Sequence, residues 1–282
     1  MVAHSITSMA LFCDFENIAL GVRDAQYAKF DIDRVLERLL LKGSIVVKKA
    51  YCDWDRYKDF KKPMHEASFE LIEIPHVKIS GKNSADIRLV VDALDLCYTK
   101  AHVDTFVIIS GDSDFSPLVS KLRENNKTVI GVGVKSSTSD LLIANCDEFI
   151  YYDDLVRQEE KKRHQRARRK QPAAAKPAAA AAGTEAPKAP KPEATEEDRK
   201  QQAFDLVVDT IDALAEERED EKIWGSMVKQ TLKRRNPGFN ESYFGFRTFS
   251  DLLEEAQQRK LLSLEPDQKS GGYIIHRAPR PE

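Results

Sequence analysis

The sequence predicts an α/β protein: a three-layer α/β/α domain with a mainly parallel sheet, followed after a linker by a small helical domain ending in a hairpin. Three observations carry this. Over residues 9–155, short runs rich in β-branched residues alternate with apolar patterns at helical spacing. Strands that alternate with helices imply crossover connections, hence parallel strands covered on both faces. From 157 to about 197 the composition turns charged and then rich in Ala, Lys and Pro, and from about 198 to 277 helical periodicity returns. A chain of 282 residues accommodates two such domains, at roughly 150 residues each.

Strands are predicted at MALFCDF (9–15), SIVVKKAYC (44–52), FELIEI (69–74), TFVIIS (105–110) and TVIGVGV (128–134), with EFIYY (148–152) a short sixth. Between them helices are predicted over 32–42, where Asp31 caps and Gly43 stops the helix, and over 57–67, 85–100, 117–125 and 139–144. For the fourth of these, Ser116 followed by Pro117 reads as an N-cap and first helical position. In the linker (156–197), RQEEKKRHQRARRK (157–170) extends as a basic helix, whereas QPAAAKPAAAAAGTEAPKAPKPEAT (171–195) has prolines that break helices and too little apolar content to fold. Beyond it, Phe204, Val207, Val208, Ile211 and Leu214 recur at helical spacing, as do Phe246, Phe249, Leu252, Leu253 and Ala256. IWGSMVKQTLKRRNPGF (223–239) reads as a helix ending at Pro237. LLSLEP and GGYIIH flank a turn at 267–272 and read as a hairpin, so this part suggests a winged helix.

Composition excludes several function classes. Lys and Arg total 44 against 46 Asp and Glu, a net charge of −2, so attraction to nucleic acid has to come from local patches and not from the whole-protein field. Cys13, Cys52, Cys97 and Cys146 are far apart, and none makes a C-x-x-C or Cys/His pair with zinc-ligand spacing. They read as small apolar core residues in a reducing, cytoplasmic compartment. The opening residues show no basic segment ahead of a long apolar run. Nowhere does the sequence hold the ~18 consecutive apolar residues that a membrane span needs.

Chemistry is expected at the carboxyl ends of the strands, where open parallel sheets bind ligands. The first strand ends in Asp14-Phe15-Glu16-Asn17, the fourth in Ser110-Gly111-Asp112-Ser113-Asp114, and Asp86 lies in the first turn of the helix after the third. Carboxylates gathered at one edge repel one another, and a divalent cation relieves the repulsion. Oxygen ligands without His or Cys point to Mg2+ or Mn2+. Each aspartate taken singly also reads as a turn or cap residue. Because Ser116-Pro117 already starts a helix, Asp112 and Asp114 are not required as caps, whereas Ser84 or Asp86 can cap the helix they begin. Asp92 lies six residues beyond Asp86, about 240° around a helix, and so is left outside the set.

The order and spacing of CDFEN (13–17), GKNSADIRLVVDAL (81–94) and VIISGDSDFSPLV (107–119), with AYCDW (50–54) after the second strand, resembles the NYN domain. This is a branch of the PIN-like nuclease superfamily, with LabA-like members, and the likeness covers residues 8–155. The resemblance implies that Asp14, Asp86, Asp112 and Asp114 hold Mg2+ or Mn2+ and form the catalytic set. It implies hydrolysis of an RNA phosphodiester by an activated water, leaving a 5′-phosphate and a 3′-hydroxyl. Asn17, Lys82, Asn83 and Ser110 are the substrate-contact candidates. Lys82 and Asn83 read equally as a solvated loop. Trp54 either stacks a base or packs in the core.

The run KQTLKRRNPGFNESYFGFRTFSDLLEEA resembles the OST-HTH, or LOTUS, domain over about 198–277. That resemblance implies binding of single-stranded RNA and of protein partners, and the family recurs beside NYN domains. Lys229, Lys233, Arg234, Arg235 and Arg247 are the phosphate candidates and Tyr243 the stacking candidate. A basic helix end equally serves the helix dipole. The expected function is a metal-dependent endoribonuclease, with a non-catalytic RNA-binding adaptor as the alternative. No membrane partner is expected, and a homodimer is left open.

Overall fold

In a computed structural model, which describes residues 7–74, 84–160, 196–217, 222–267 and 272–277, the chain divides into two compact units. The first comprises Met1–Val156 with Lys233–Phe239, the second Arg157–Leu232 with Asn240–Glu282. The loop carrying Lys82 and Asn83 and most of the predicted linker (161–195) lie outside the described residues.

Strand β1 (Ser8–Asp14) is the centre of the first unit. Met9 to Cys13 are all fully buried, which explains the unbroken apolar run: a strand covered on both faces has no polar side to alternate with. Met9, Leu11 and Cys13 enter one core cluster and Ala10 and Phe12 the other, as the two-residue period of a strand requires. β1 pairs in parallel with β2 (Ser44–Cys52) on one side and β4 (Thr105–Ile109) on the other. With β3 (Glu70–Glu73), β5 (Thr128–Gly133) and β6 (Glu148–Tyr151) the sheet runs β3-β2-β1-β4-β5-β6, every neighbouring pair parallel.

Helices cover both faces. α2 (Ile32–Leu40) puts Val35 and Leu39 into the first cluster, while α4 (Ser84–Thr99) and α5 (Ser116–Glu124) put Leu89, Ala93, Leu118 and Leu122 into the second. The predicted Asp31 cap holds, its side chain accepting from the Asp33 N–H. α3 (Lys58–Glu66) and α6 (Asp140–Asn145) fall within about a residue of expectation, and residues 152–160 form a further helix, α7.

Two local predictions are corrected. α1 (Phe15–Asp24) begins on the residue after β1, where no helix was expected. The strand passes straight into the helix with no turn residues to mark the change, because Asp14 is at once the last strand residue and the N-cap. Gly21 in its interior also lowers helix propensity, yet a Cβ there would run into Val134, 3.3 Å away, and the Ser137 hydroxyl. The second correction concerns α5. Ser116 is not its N-cap: a 3-10 turn, Ser113–Phe115, precedes the helix, and Asp112 caps that turn by accepting from the Asp114 N–H.

The second unit contains α8 (Glu196–Glu217), β7 (Ile223–Trp224), α9 (Gly225–Arg235) as far as Leu232, α10 (Phe249–Gln258), β8 (Leu262–Pro266) and β9 (Tyr273–Arg277). The predicted stripe holds, with Phe204, Val207, Ile211 and Leu214 all buried. The hairpin pairs β8 with β9 antiparallel. β7 adds a third strand on the far side of β9, so Ile223 and Trp224 are strand rather than the first turn of the following helix. α10 starts with a capping box between Thr248 and Asp251, which is why the pattern becomes helical only after Phe246. Among the described residues no helix is long and apolar enough to cross a membrane.

Candidate active site at the carboxyl edge of the sheet

The strand order places the site. The chain builds outward from β1 to β3 and then returns to lay β4 on the other side of β1. A crevice therefore opens between the carboxyl ends of β1 and β4, the switch point at which open α/β sheets receive ligands. A cleft of about 410 Å³ lies there, lined by Asp14, Asn17, Asp86 and Asp112 among others. Sequence separations of 72 and 26 between these aspartates collapse into one cavity because β1, the start of α4 and the turn after β4 end at the same edge.

Asp14 is 7% exposed, and its carboxylate is held from two sides. The Ser110 hydroxyl donates to Oδ2 at 3.0 Å, and the Asn17 N–H donates to Oδ1 at 3.3 Å from the first turn of α1. Even so, burial pushes its pKa up to about 7, helped by the Asp86 charge and, less, by Asp112. Asp86 is also raised, by burial first and then by Asp112, Asp114 and Glu16. Burial is the first cause of both shifts, and neighbouring carboxylates add to it.

Backbone fit fixes the turn after β4. The Gly111 N–H donates to Asn17 Oδ1 at 2.8 Å, and its carbonyl accepts from the Ser139 N–H at 2.9 Å. A Cβ on Gly111 would stand 2.6 Å from the Ser137 carbonyl oxygen, so only glycine allows this approach. The Ser110 hydroxyl also accepts from the Asp112 N–H at 3.2 Å. Ser110 thus ties Asp14 to Asp112.

The structure redistributes the predicted roles. Asp14, Asn17, Asp86 and Asp112 share the cleft. Asp114 is exposed and does not line it, although its charge reaches Asp86. Ser110, a substrate-contact candidate in the sequence, is fully buried and donates to the Asp14 carboxylate. Trp54 is 1% exposed, with its indole N–H donating to the Ile72 carbonyl at 3.2 Å, so it packs and does not stack a base. Asp92 does not line the cleft and is engaged by Tyr51 at 2.9 Å and Arg88 at 3.0 Å. Glu16, Asp53 and Arg56 also line the cleft and were not singled out from the sequence. Their signal was adjacency to the strand ends of β1 and β2, which equally fits ordinary loop charge. Cys52 lines the cleft too, and burial pushes its thiol well up, so it offers no thiolate.

The donor set of Asp14, Asn17, Asp86 and Asp112 is all oxygen, which suits a hard dication. Among the described residues no group of three or more His, Cys, Asp or Glu stands at ligating spacing as it is.

α9 carries Lys229, which belongs to the second unit, and in its last turn Lys233, Arg234 and Arg235, which group with the first. Lys229 is 2.8 Å from Glu241, so its charge is already matched. Arg234 and Arg247 are exposed. Tyr243 packs edge-on against Phe244, with ring centroids 4.9 Å apart, and carries the Arg199 guanidinium 5.6 Å from its ring.

A parallel α/β sheet with carboxylates gathered at its switch point defines a PIN-like class of fold. Residues 8–153, just over half of the chain, match the NYN domain, and the chain belongs to that family, which lies within the PIN-like nuclease superfamily. It is 29% identical over 112 residues to an uncharacterised protein of Methanocaldococcus jannaschii, covering 40% of this chain and 43% of that one. It is 25% identical over 152 residues to the meiosis regulator and mRNA stability factor 1 of Xenopus tropicalis, covering 54% of this chain and 9% of that protein. The chain thus spans less than half the length of either relative. A solved structure of a protein of unknown function from Vibrio parahaemolyticus aligns with a TM-score of 0.49 at 27% identity, over 55% of this chain and 98% of that one.

Proposed function

We propose that the chain is a Mg2+- or Mn2+-dependent endoribonuclease whose NYN domain cuts single-stranded RNA, and whose second unit is an OST-HTH domain that recruits it. The observation that carries this is the convergence of Asp14, Asp86 and Asp112 on one cleft at the β1/β4 switch point, with Asp14 pushed up to about 7. The relative whose name records mRNA stability supports RNA as the substrate class. The helices and three-stranded sheet of residues 196–277 support the OST-HTH reading, as does the motif around Lys229 to Ala256.

In this reading Asp14, Asp86 and Asp112 hold the cation, and Asp114 adds negative charge from outside the cleft. When bound, the cation supplies stabilisation of charge on the phosphate oxygens and lowers the pKa of the attacking water. Ser110 and the Asn17 N–H orient Asp14, and Asn17 fixes the Gly111 turn that sets Asp112. The deep placement of Asp14 keeps bulk water from its carboxylate. Purified chain is expected to cleave single-stranded RNA with Mg2+ or Mn2+, and Asp112→Asn to lower that cleavage by about two to three orders of magnitude. Intact RNA under every divalent ion would overturn the reading.

The second reading is a non-catalytic RNA-binding adaptor. It is favoured by the absence of ligating spacing among the described carboxylates and by the cap role of Asp112. RNA that stays bound and uncut for hours in Mg2+ and Mn2+ is its signature.

A further inference from the structure

Arg56 stands out in the cleft. Among the described residues that line it, Arg56 is the only cation; the other charged members are Asp14, Glu16, Asp53, Asp86 and Asp112. Its guanidinium donates from Nη1 to Glu16 Oε1 at 3.2 Å. Both side chains are solvent-exposed, Arg56 by 54% and Glu16 by 39%, so the pair adds little to stability and opens easily. Stability does not account for an arginine at this position.

Its backbone, by contrast, is fixed. The Arg56 N–H donates to the Asp53 carbonyl at 3.1 Å, closing a turn that Trp54 anchors. The Trp54 N–H donates to Glu73 at 2.9 Å, and its ring lies 4.9 Å, centroid to centroid, from Phe15, the residue after Asp14. The Arg56 turn and the Asp14 carboxylate are therefore referenced to one packed aromatic contact. A mobile fork on a rigid turn, beside a set of carboxylates, is a geometry suited to grasping a second phosphate while the first meets the cleft floor. A guanidinium offers five N–H donors, in a fork that matches two phosphate oxygens.

We infer that Arg56 is a substrate-binding residue that contacts an RNA backbone phosphate next to the scissile one, with Glu16 holding the guanidinium until RNA arrives. This rests on the ribonuclease reading for its substrate class. It does not rest on catalysis, so the two can fail separately. Without Arg56 the charged lining of the cleft among the described residues is wholly negative and repels a polyanion. With it, RNA exchanges one exposed ion pair for a charge-assisted fork.

The test uses the full chain carrying Asp112→Asn, so that RNA stays intact, and a fluorescent oligouridylate titrated across a salt series. Adding Arg56→Gln should weaken binding about 5- to 10-fold and make the slope of log affinity against log salt shallower by about 0.7, the single-strand value for one phosphate contact. Arg56→Lys should keep the slope and recover only part of the affinity. Glu16→Gln should tighten binding about 2- to 5-fold, and that gain should vanish in the Glu16→Gln/Arg56→Gln double variant. The thermal midpoint of each variant should stay near that of the parent, as for an exposed pair. Equal affinity and slope with and without Arg56 would overturn the inference even if the wild-type chain cuts RNA. So would a Glu16→Gln gain that persists without Arg56. A shallower slope would support it even if the wild-type chain leaves RNA whole.

Discussion

Charge is handled in opposite ways in the two units. In the first, Asp14 and Asp86 are forced up in pKa by burial and by neighbouring carboxylates, and among the described residues the lining of their cleft offers one guanidinium, already engaged by Glu16. In the second, three cations have carboxylates at hand: Lys229 at 2.8 Å from Glu241, Lys200 at 3.0 Å and Arg259 at 2.8 Å from Glu255. A matched surface pair contributes little to stability and asks for no ligand. Unmatched carboxylates in a cleft cost stability at neutral pH, and a dication or a proton removes that cost. Unmatched charge, more than the amount of charge, separates the candidate active site from a well-packed surface.

The comparison breaks most directly at the cleft. Asp86→Asn and Asp112→Asn are each expected to lower Mg2+-dependent RNA cleavage by about two to three orders of magnitude. Asp114→Asn, outside the cleft, should cost less than about tenfold. A loss at Asp114 equal to that at Asp112 in single-turnover assays would show that the 3-10 turn rearranges to bring all four carboxylates together.

A proton is the other partner for the unmatched charge, and its sign can be worked through. Asp14 has a folded pKa near 7 against about 3.9 when unfolded, so between these values the folded state holds more proton. Its contribution is fully present below about pH 4 and is lost as pH rises through about 7. In metal-free protein, urea unfolding of Asp14→Asn should therefore lack this decline and exceed wild type at pH 8, by about 4 kcal/mol at most. Mg2+ should stabilise wild type more at pH 8 than at pH 6, since it binds the ionised carboxylate. Flat stability of wild type from pH 4 to 8 would remove the claim that Asp14 is strained by its neighbours.

Ser110→Ala removes a donor to a buried carboxylate and should cost about 1.5–3 kcal/mol at pH 8. The same change should move the Asp14 titration upward, read by the pH dependence of Mg2+ binding. The smallest effect is expected in the second unit. Lys229→Ala should cost less than about 1 kcal/mol and change RNA affinity less than about twofold, because Glu241 already holds that charge. Arg234→Ala and Arg247→Ala, at exposed positions, should each make the salt slope of RNA binding shallower by about 0.7. If Lys229→Ala has the larger effect, matched charge in this unit is not idle.

The layered α/β architecture was legible because buried parallel strands leave an unbroken apolar signature, as in Met9 to Cys13, and because the intervening helices keep their own period. The acidic residues were legible because strand ends are where such sheets bind ligands. α1 was not legible, since Asp14 joins strand to helix without a turn and Gly21 weakens the pattern for the sake of Val134 and Ser137. Nor was the 3-10 turn: Ser116-Pro117 has the local chemistry of a helix start, and only the path from β4 shows that Asp112 caps an earlier turn. β7 was hidden because two residues make no period; Ile223 and Trp224 are a strand only because β9 lies beside them.

By itself, the order of apolar runs determined the fold class, and the spacing of CDFEN, GKNSADIRLVVDAL and VIISGDSDFSPLV pointed to an acidic edge, because those features depend on backbone period and residue chemistry alone. Tertiary structure decided which acids face each other. It put Asp14, Asp86 and Asp112 on one cleft, left Asp114 outside, turned Ser110 into the residue that holds Asp14, and set Arg56 opposite Glu16. The reason is the strand order: only the return of the chain to lay β4 beside β1 brings residues so far apart in sequence to one edge, where burial and repulsion act on them together.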